Sequence, residues 1–425
     1  MIKKTGSTTK VIYFLVFLFT VGSCEKEENL YVSSITINHS PNIVNYFGEK
    51  QRLNLEGLEI ILKYNNSKEQ YIVFDDFSEN NIICIPEHGE ILTTKTKNVQ
   101  IIHTTSDTSI ELPISINKIK VTDLTIKKLP NKSKYYLGEA FEIEGLEIAL
   151  HFNDGNDETI GVKEFESKNI ECSLSDSTIL TNPDINYKLT HTETNTEVVL
   201  PIEIRNVKDI DNNIYPLSKI GDQIWIAENL ITSKLNDGTP INHVVPDNDK
   251  STWLGLETPA FDLRDGKEYA EESKYGAYYN YYTVETEKLC PNGFHVPSLA
   301  EWKILEDFLA ANGYSGIEAK AIKSIDNWEP YMGDNALNGS DNFGFNAKPG
   351  GALAAGRLFN TDGPNGDAYI YGSYFGKWWT STKTLDGQAK LISLYSESNT
   401  INIQTTIEQT NYTLKSGMNV RCIKD

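Results

Sequence analysis

Long apolar runs are missing from this chain. The longest uncharged one, Val11 to Phe19, is about half of what a bilayer-spanning helix needs, which argues against a membrane-crossing helix. Positive charge is scarce: 39 Lys and Arg stand against 59 Asp and Glu, a formal net charge of -20. That balance repels nucleic acid and anionic lipid, and leaves neutral glycans, proteins and divalent cations as partners. Extended runs of 3.6-residue periodicity are lacking over most of the sequence, which excludes a helical bundle. Only five cysteines occur in 425 residues, and tryptophan is absent until Trp225. Tyrosine and phenylalanine are plentiful, with 22 and 16 copies, and with abundant Thr and Ile they point to strands. The length calls for two or more domains.

The first residues address the protein. Lys3, Lys4 and Lys10 precede the apolar run, and Val21-Gly22-Ser23-Cys24 closes it with small residues, as in a secretory signal. This segment resembles the lipobox of bacterial lipoproteins, in which the cysteine thiol is acylated and its amine becomes the new N-terminus. Glu25-Lys26-Glu27-Glu28 is similar to the acidic surface-export tag of Bacteroidetes lipoproteins. The resemblance implies a signal peptide over 1–23, an acidic tether over 24–30, and a chain held by lipid on Cys24 in the outer membrane, facing outward. The expected membrane partner is therefore lipid attached through Cys24.

A duplication organises the first half. Tyr46-Phe47-Gly48-Glu49 is echoed by Tyr136-Leu137-Gly138-Glu139, and Leu55-Glu56-Gly57-Leu58-Glu59-Ile60 by Ile143-Glu144-Gly145-Leu146-Glu147-Ile148. Phe77 answers Phe165, Asn81 answers Asn169, Cys84 answers Cys172 and His103 answers His191, all at a constant spacing. Register kept over so many positions marks an internal repeat. Leu58, Ile60 and Leu62 alternate with Glu59, Ile61 and Lys63 before the turn Asn65-Asn66-Ser67-Lys68, and the second copy repeats the pattern before Asn153-Asp154-Gly155-Asn156. Period two with turn-forming clusters is the signature of half-buried strands. The copies resemble bacterial immunoglobulin-like domains, which implies tandem Ig-like β-sandwiches over 31–117 and 118–205. Gly57 and Gly145 are expected in tight turns, and Cys84 and Cys172 as small buried hydrophobes. The two histidines, lacking Cys or His neighbours, are not expected to ligate metal.

All six tryptophans lie beyond Arg205. Asp211-Asn212-Asn213 signals a hairpin, and Ser298 with Glu301 forms a capping box that starts a helix with the apolar stripe Trp302, Leu305, Phe308 and Leu309. Ala300 and Ala311 are expected to assist its packing and Asn312-Gly313 to end it. A second helix is expected over 317–324. Segments such as Ile224-Trp225-Ile226-Ala227-Glu228-Asn229-Leu230, Gly293-Phe294-His295-Val296-Pro297 and Met418-Asn419-Val420-Arg421-Cys422 resemble the Fibrobacter succinogenes major paralogous domain. The resemblance spans 206–425 and implies an α+β, C-type-lectin-like terminal domain after the mainly β first half. It brings no settled activity.

No Ser-His-Asp set or opposed carboxylate pair assembles from the sequence, and a non-enzyme is expected. Cys290 and Cys422 either form a disulfide, which an oxidising compartment permits, or stay as two buried thiols. Trp378 and Trp379 are adjacent on a strand, so one is expected in the core and the other at a loop or facing outward. Trp253, Trp328 and Tyr331, in polar loop-like surroundings, are the candidate exposed ligand-binding aromatics. Asp247-Asn248-Asp249 and Asp362-Gly363-Pro364-Asn365-Gly366-Asp367 offer oxygen atoms to a structural calcium, but neither forms an EF-hand loop, and no metal ligand or cofactor is assigned. The expected function is a binding or adhesion head for a glycan or extracellular protein; the alternatives are a structural envelope or surface-assembly component and, less favoured, a glycan-active enzyme.

Overall fold

The computed structural model describes residues 29–425 apart from 49, 185, 245–252, 254, 264–274, 330–337, 354–368, 371–373 and 407–412. The chain divides into two compact units, residues 1–119 and 120–425.

In the first unit the strands are β1 (Val32–His39), β2 (Asn45–Phe47), β3 (Glu59–Tyr64), β4 (Glu69–Val73), β5 (Ile82–Ile85), β6 (Asn98–His103), β7 (Thr108–Pro113) and β8 (Ser115–Asn117). They form the antiparallel sheets β1-β3-β4 and β5-β6-β7 and a short parallel pair, β2 with β8. Alternation explains the layering. Ile60 and Leu62 of one sheet and Val99 and Ile101 of the other turn inward to a common core, while intervening residues face out.

The second repeat reproduces this plan with β9 (Val121–Lys128), β10 (Lys134–Tyr135), β11 (Glu147–Phe152), β12 (Asp157–Gly161), β13 (Ile170–Cys172), β14 (Lys188–His191), β15 (Thr196–Val199) and β16 (Glu203–Ile204). Its sheets are β12-β11-β9 and β13-β14-β15, with β10 parallel to β16. Gly57 and Gly145 occupy matching turns at φ +83° and +87°, and a Cβ there would collide with the Asn42 or Asn131 side chain. His103 and His191 are buried, each bonded to a turn hydroxyl, Ser106 at 2.7 Å and Thr194 at 2.8 Å. Cys84 is buried and Cys172 partly so.

One correspondence differs from the sequence pattern. The Tyr46 hydroxyl lies among the Ile43 carbonyl (3.2 Å), the Asn54 carbonyl (3.2 Å) and the Asn54 N–H (3.0 Å). The residue with that role in the second repeat is Tyr135, bonded to the Lys132 and Glu142 carbonyls at 2.8 and 3.2 Å and to the Glu142 N–H at 3.3 Å. Tyr136, its apparent partner by sequence, packs instead against the core of the terminal domain, with the Arg205 guanidinium over its ring.

The remaining strands are β17 (Asn206–Lys208), β18 (Ile214–Ile220), β19 (Gln223–Ile226), β20 (Asn242–His243), β21 (Ala260–Leu263), β22 (Ala277–Tyr279), β23 (Phe294–His295), β24 (Ala352–Leu353), β25 (Tyr369–Ile370), β26 (Phe375–Lys383), β27 (Ala389–Tyr395), β28 (Asn402–Thr405) and β29 (Ile423–Lys424). The largest sheet runs β17-β18-β19-β29-β23, and the others are β20-β21-β22, β26-β27-β28 and β24-β25. Helices are α1 (Tyr281–Val284), α2 (Leu299–Leu309) and α3 (Glu318–Ile322). Mostly β with a few helices in its C-terminal part, the chain is a mixed α+β structure. No helix among the described residues is long and apolar enough to cross a membrane, which leaves β-barrels unaddressed.

The capping box forms as the sequence requires: Glu301 N–H donates to Ser298 Oγ, and Ser298 N–H donates to the Glu301 carboxylate at 2.7 Å. Trp302, Leu305 and Leu309 are buried. Gly313, at φ +96°, marks the end of this helical stretch. Ala300 and Ala311 are exposed rather than packed, because both fall on the face opposite the stripe.

No flexible linker separates the second repeat from the terminal domain; their ladders run into one another. Arg205 N–H donates to Tyr135 O (2.8 Å) and Leu217 N–H to Arg205 O (2.8 Å). Leu137 then exchanges bonds with Leu217 O (2.9 Å) and Lys219 N–H (2.8 Å). Gly138 sits so close that a Cβ would lie 2.7 Å from Lys219 O and 2.8 Å from Phe343 O.

Candidate functional site

The chemically distinctive side chains of the terminal domain converge on its interior. Arg421 is fully buried on the segment leading into β29, and its guanidinium donates to Asn229 Oδ1 (2.8 Å), Ile226 O (3.0 Å), Phe345 O (2.6 Å) and Asn346 O (2.7 Å). It also lies over the Phe345 ring. Burial lowers its pKa to about 9, against the pull of Glu228 and Asp341. Asn229 shares its oxygen with Trp378 Nε1 (2.8 Å) and donates to Tyr275 O (2.8 Å). Burial pushes the Asp341 carboxyl up to about 7. This network ties β19, β26 and β29 together, so its chemistry is that of a scaffold.

Two buried lysines do similar work. Lys377 Nζ donates to Ser393 Oγ (2.9 Å), Tyr395 OH (3.1 Å) and Gln404 Oε1 (2.6 Å) across the sheet β26-β27-β28. Burial lowers it to about 7. Lys323 donates to Ser398 O (2.6 Å) and lies over the Trp328 ring, and burial lowers it to about 8.

The tryptophans correct the sequence expectation. Trp253 is wholly buried, with Nε1 donating to Val244 O at 2.7 Å, and Trp328 is buried with Nε1 on Ala347 O at 3.0 Å. Their polar sequence surroundings suggested exposure, but distant segments cover both rings, in separate clusters. Trp378 and Trp379 do face opposite sides of β26, as strand geometry demands, yet both are buried. One lies in the cluster with α2 and α3, the other in the cluster with α1. A covering layer on each face of this sheet removes the outward ring that was expected. Tyr331 and Cys24 lie outside the described residues, as do both candidate calcium stretches.

Cys290 and Cys422 form a disulfide with Cα atoms 5.9 Å apart, so neither is a free thiol. Near it, His295 places Nε2 2.8 Å from Glu301 and Nδ1 2.7 Å from Asp425. Burial opposes charging of this ring, but the two carboxylates outweigh it and raise its pKa. Both ring nitrogens are engaged, and the group clamps the last residue to the start of α2. Among the described residues no cluster of three His, Cys, Asp or Glu side chains is arranged to hold a metal ion.

Among the described residues an open cleft of about 400 Å³ lies where the second repeat meets the terminal domain. It is lined by Pro183, Ile204, Asn206, Ile214 and Pro216, with the carboxylates of Asp184 and Glu228. Ile214 is more than half exposed. Sequence inspection missed this cleft and had no signal of it, because Ile204, Ile214 and Pro216 are separated by polar residues and meet only in the fold. The Arg421 network was missed for the same reason: its partners are carbonyls from distant segments.

Residues 219–424 match the family described as the Fibrobacter succinogenes major domain, and a domain of that family occupies this stretch. The chain is also similar to pectate lyase L of Thermoclostridium stercorarium, 38% identical over 112 residues, a region covering 24% of this chain and 8% of that protein. The match therefore spans less than a tenth of the length of this curated relative.

Proposed function

We propose that the protein is a surface lipoprotein, anchored through Cys24, in which two immunoglobulin-like modules carry a C-type-lectin-like terminal domain that binds an extracellular protein. The observation that carries this reading is the division of labour in the second unit. The buried arginine, lysines and tryptophans are tied up in its interior. The cleft instead sets exposed Ile214 among polar groups that include the carboxylates of Asp184 and Glu228, the latter 3.8 Å from Lys348 Nζ. Such a surface suits a basic, partly apolar segment of a protein partner. A glycan ligand is less well supported, since Trp253 and Trp328 are buried and offer no stacking face. The rigid junction supports presentation, because a partner meets a single body with both walls of the cleft held in place.

A structural role in the envelope is the second reading, favoured by exposed Ile214 and half-buried Pro216 if a neighbouring protein covers them permanently. The similarity to pectate lyase L, confined to 8% of that protein, leaves its activity with that protein.

The test uses residues 24–425 with Cys24→Ser, screened against extracellular proteins and glycans. Reproducible protein binding that falls at least tenfold in Ile214→Asp or Glu228→Lys is expected. Binding no better than that of a heat-denatured sample, or binding indifferent to both substitutions, overturns the cleft. A glycan hit in its place overturns the choice of ligand. Defined crosslinks to one envelope protein in intact cells would favour the structural reading. Mass spectrometry of the native N-terminal peptide should find Cys24 acylated; an unmodified terminus removes the anchor.

A further inference from the structure

The two repeats share one topology, so each serves as a control for the other, and they part at the edge of one sheet. Strand β5 is the outer strand of β5-β6-β7. Ile82 N–H turns away from β6 to Phe77 O at 2.9 Å, and antiparallel alternation turns the main-chain groups of Cys84 the same way. Ile83 and Ile85 stand on the outer face, 47% and 54% exposed, with Ile83 directly opposite Ile102. Along this edge runs a groove of about 400 Å³ lined by Phe74, Phe77, Ile82 and Cys84, with the carboxylates of Asp75 and Glu87.

In the second repeat the corresponding positions carry Glu171, Ser173 and Thr190, and β13 still pairs with β14 in the same register. The fold therefore does not require apolar residues on this face. An exposed apolar row beside an unpaired strand edge is a liability unless something covers it.

We infer that the β5 edge of the first repeat is a docking site for an extended, cationic segment of another protein, which adds as a strand. Its alternate apolar side chains would lie on Ile83 and Ile85, and its basic ones near Asp75 and Glu87. Main-chain bonds at Cys84 give the pairing, and the isoleucine row gives the register. A second copy of this chain fits less well, because edge-to-edge pairing would bring Asp75 and Glu87 against their own equivalents in a protein of net charge -20. This site lies in the first unit and does not depend on the cleft.

The experiment is isothermal titration of residues 24–425 bearing Cys24→Ser with a synthetic peptide of alternating valine and lysine. Measurable binding is expected, reduced at least tenfold by the double substitution Ile83→Glu and Ile85→Ser. The added glutamate would strengthen plain charge attraction, so a loss cannot come from charge. The same peptide N-methylated at alternate residues, tested on the unsubstituted chain, should also lose binding at least tenfold, whatever the fate of the variant. Equal binding by the double variant, or by the N-methylated peptide, overturns the proposal. So does a concentration-dependent dimer in sedimentation that the same double substitution abolishes, since the edge would then serve self-association.

Discussion

The first and second repeats are built alike, yet one closes on itself and the other is continuous with the terminal domain. Both have two three-stranded sheets, a parallel strand pair and a buried tyrosine hydroxyl bridging main-chain groups. The first forms a compact unit ending at Ile119, whereas the second shares a unit with the terminal domain. A small local change accompanies this difference. Tyr136 stands as an extra residue after the structural tyrosine, its ring packs into the neighbouring core, and Leu137 and Gly138 run on along β18. A duplicated module thus becomes part of a larger body by redirecting one short strand, with its own core unchanged in plan.

Reduction of Cys290–Cys422 should produce the largest effect and the clearest separation. The bridge spans 132 residues of the second unit, and its loss should lower that unit's stability by about 3–5 kcal/mol. Calorimetry should show the transition of the first unit unmoved; a joint shift of both would break the two-unit comparison. Next in size is Gly138→Ala, which combines φ +84° with main-chain oxygens at 2.7 and 2.8 Å and should cost about 3 kcal/mol. Its counterpart Gly48→Ala meets only the side-chain end of Ile119 and should cost about 1–2 kcal/mol. Equal losses in denaturant titrations would mean that the junction is looser than described.

Tyr46→Phe and Tyr135→Phe should each cost about 1–2 kcal/mol, because each leaves buried main-chain groups without the hydroxyl. Tyr136→Phe, which retains the packed ring, should cost less, and the reverse order would restore the alignment suggested by sequence. The smallest effect is expected at the clamp of the last residue. The His295 pKa is raised in the folded state, so its contribution is complete below the ordinary histidine value and disappears as pH rises through the raised one. Asp425→Asn should lower the His295 midpoint in an NMR titration. It should destabilise the second unit by less than about 1 kcal/mol near pH 5.5, and by nothing measurable at pH 9. An unchanged midpoint would show that Asp425 does not hold the ring.

Much of the local structure was legible. Alternation at Leu58–Leu62 announced β3, Asn81 and Asn169 take left-handed conformations at matched positions, and Ser298 with Glu301 announced α2. Sequence alone allows Cys290 and Cys422 either a bridge or two buried thiols, and proximity of the two chain segments decides it in favour of the bridge. The candidate contact surfaces were not legible. Trp253 and Trp328 occupy polar stretches of sequence, but their exposure depends on segments tens of residues away.

Strand alternation, turn residues and helix caps act over a few neighbours, and therefore stand written in the order of the amino acids, as does the duplication itself. Which of two adjacent tyrosines holds the repeat together, whether both faces of a strand are covered, and what surrounds Arg421 belong to tertiary structure alone. Burial is a property of the layer that arrives from elsewhere in the chain, and no short stretch carries a record of its cover.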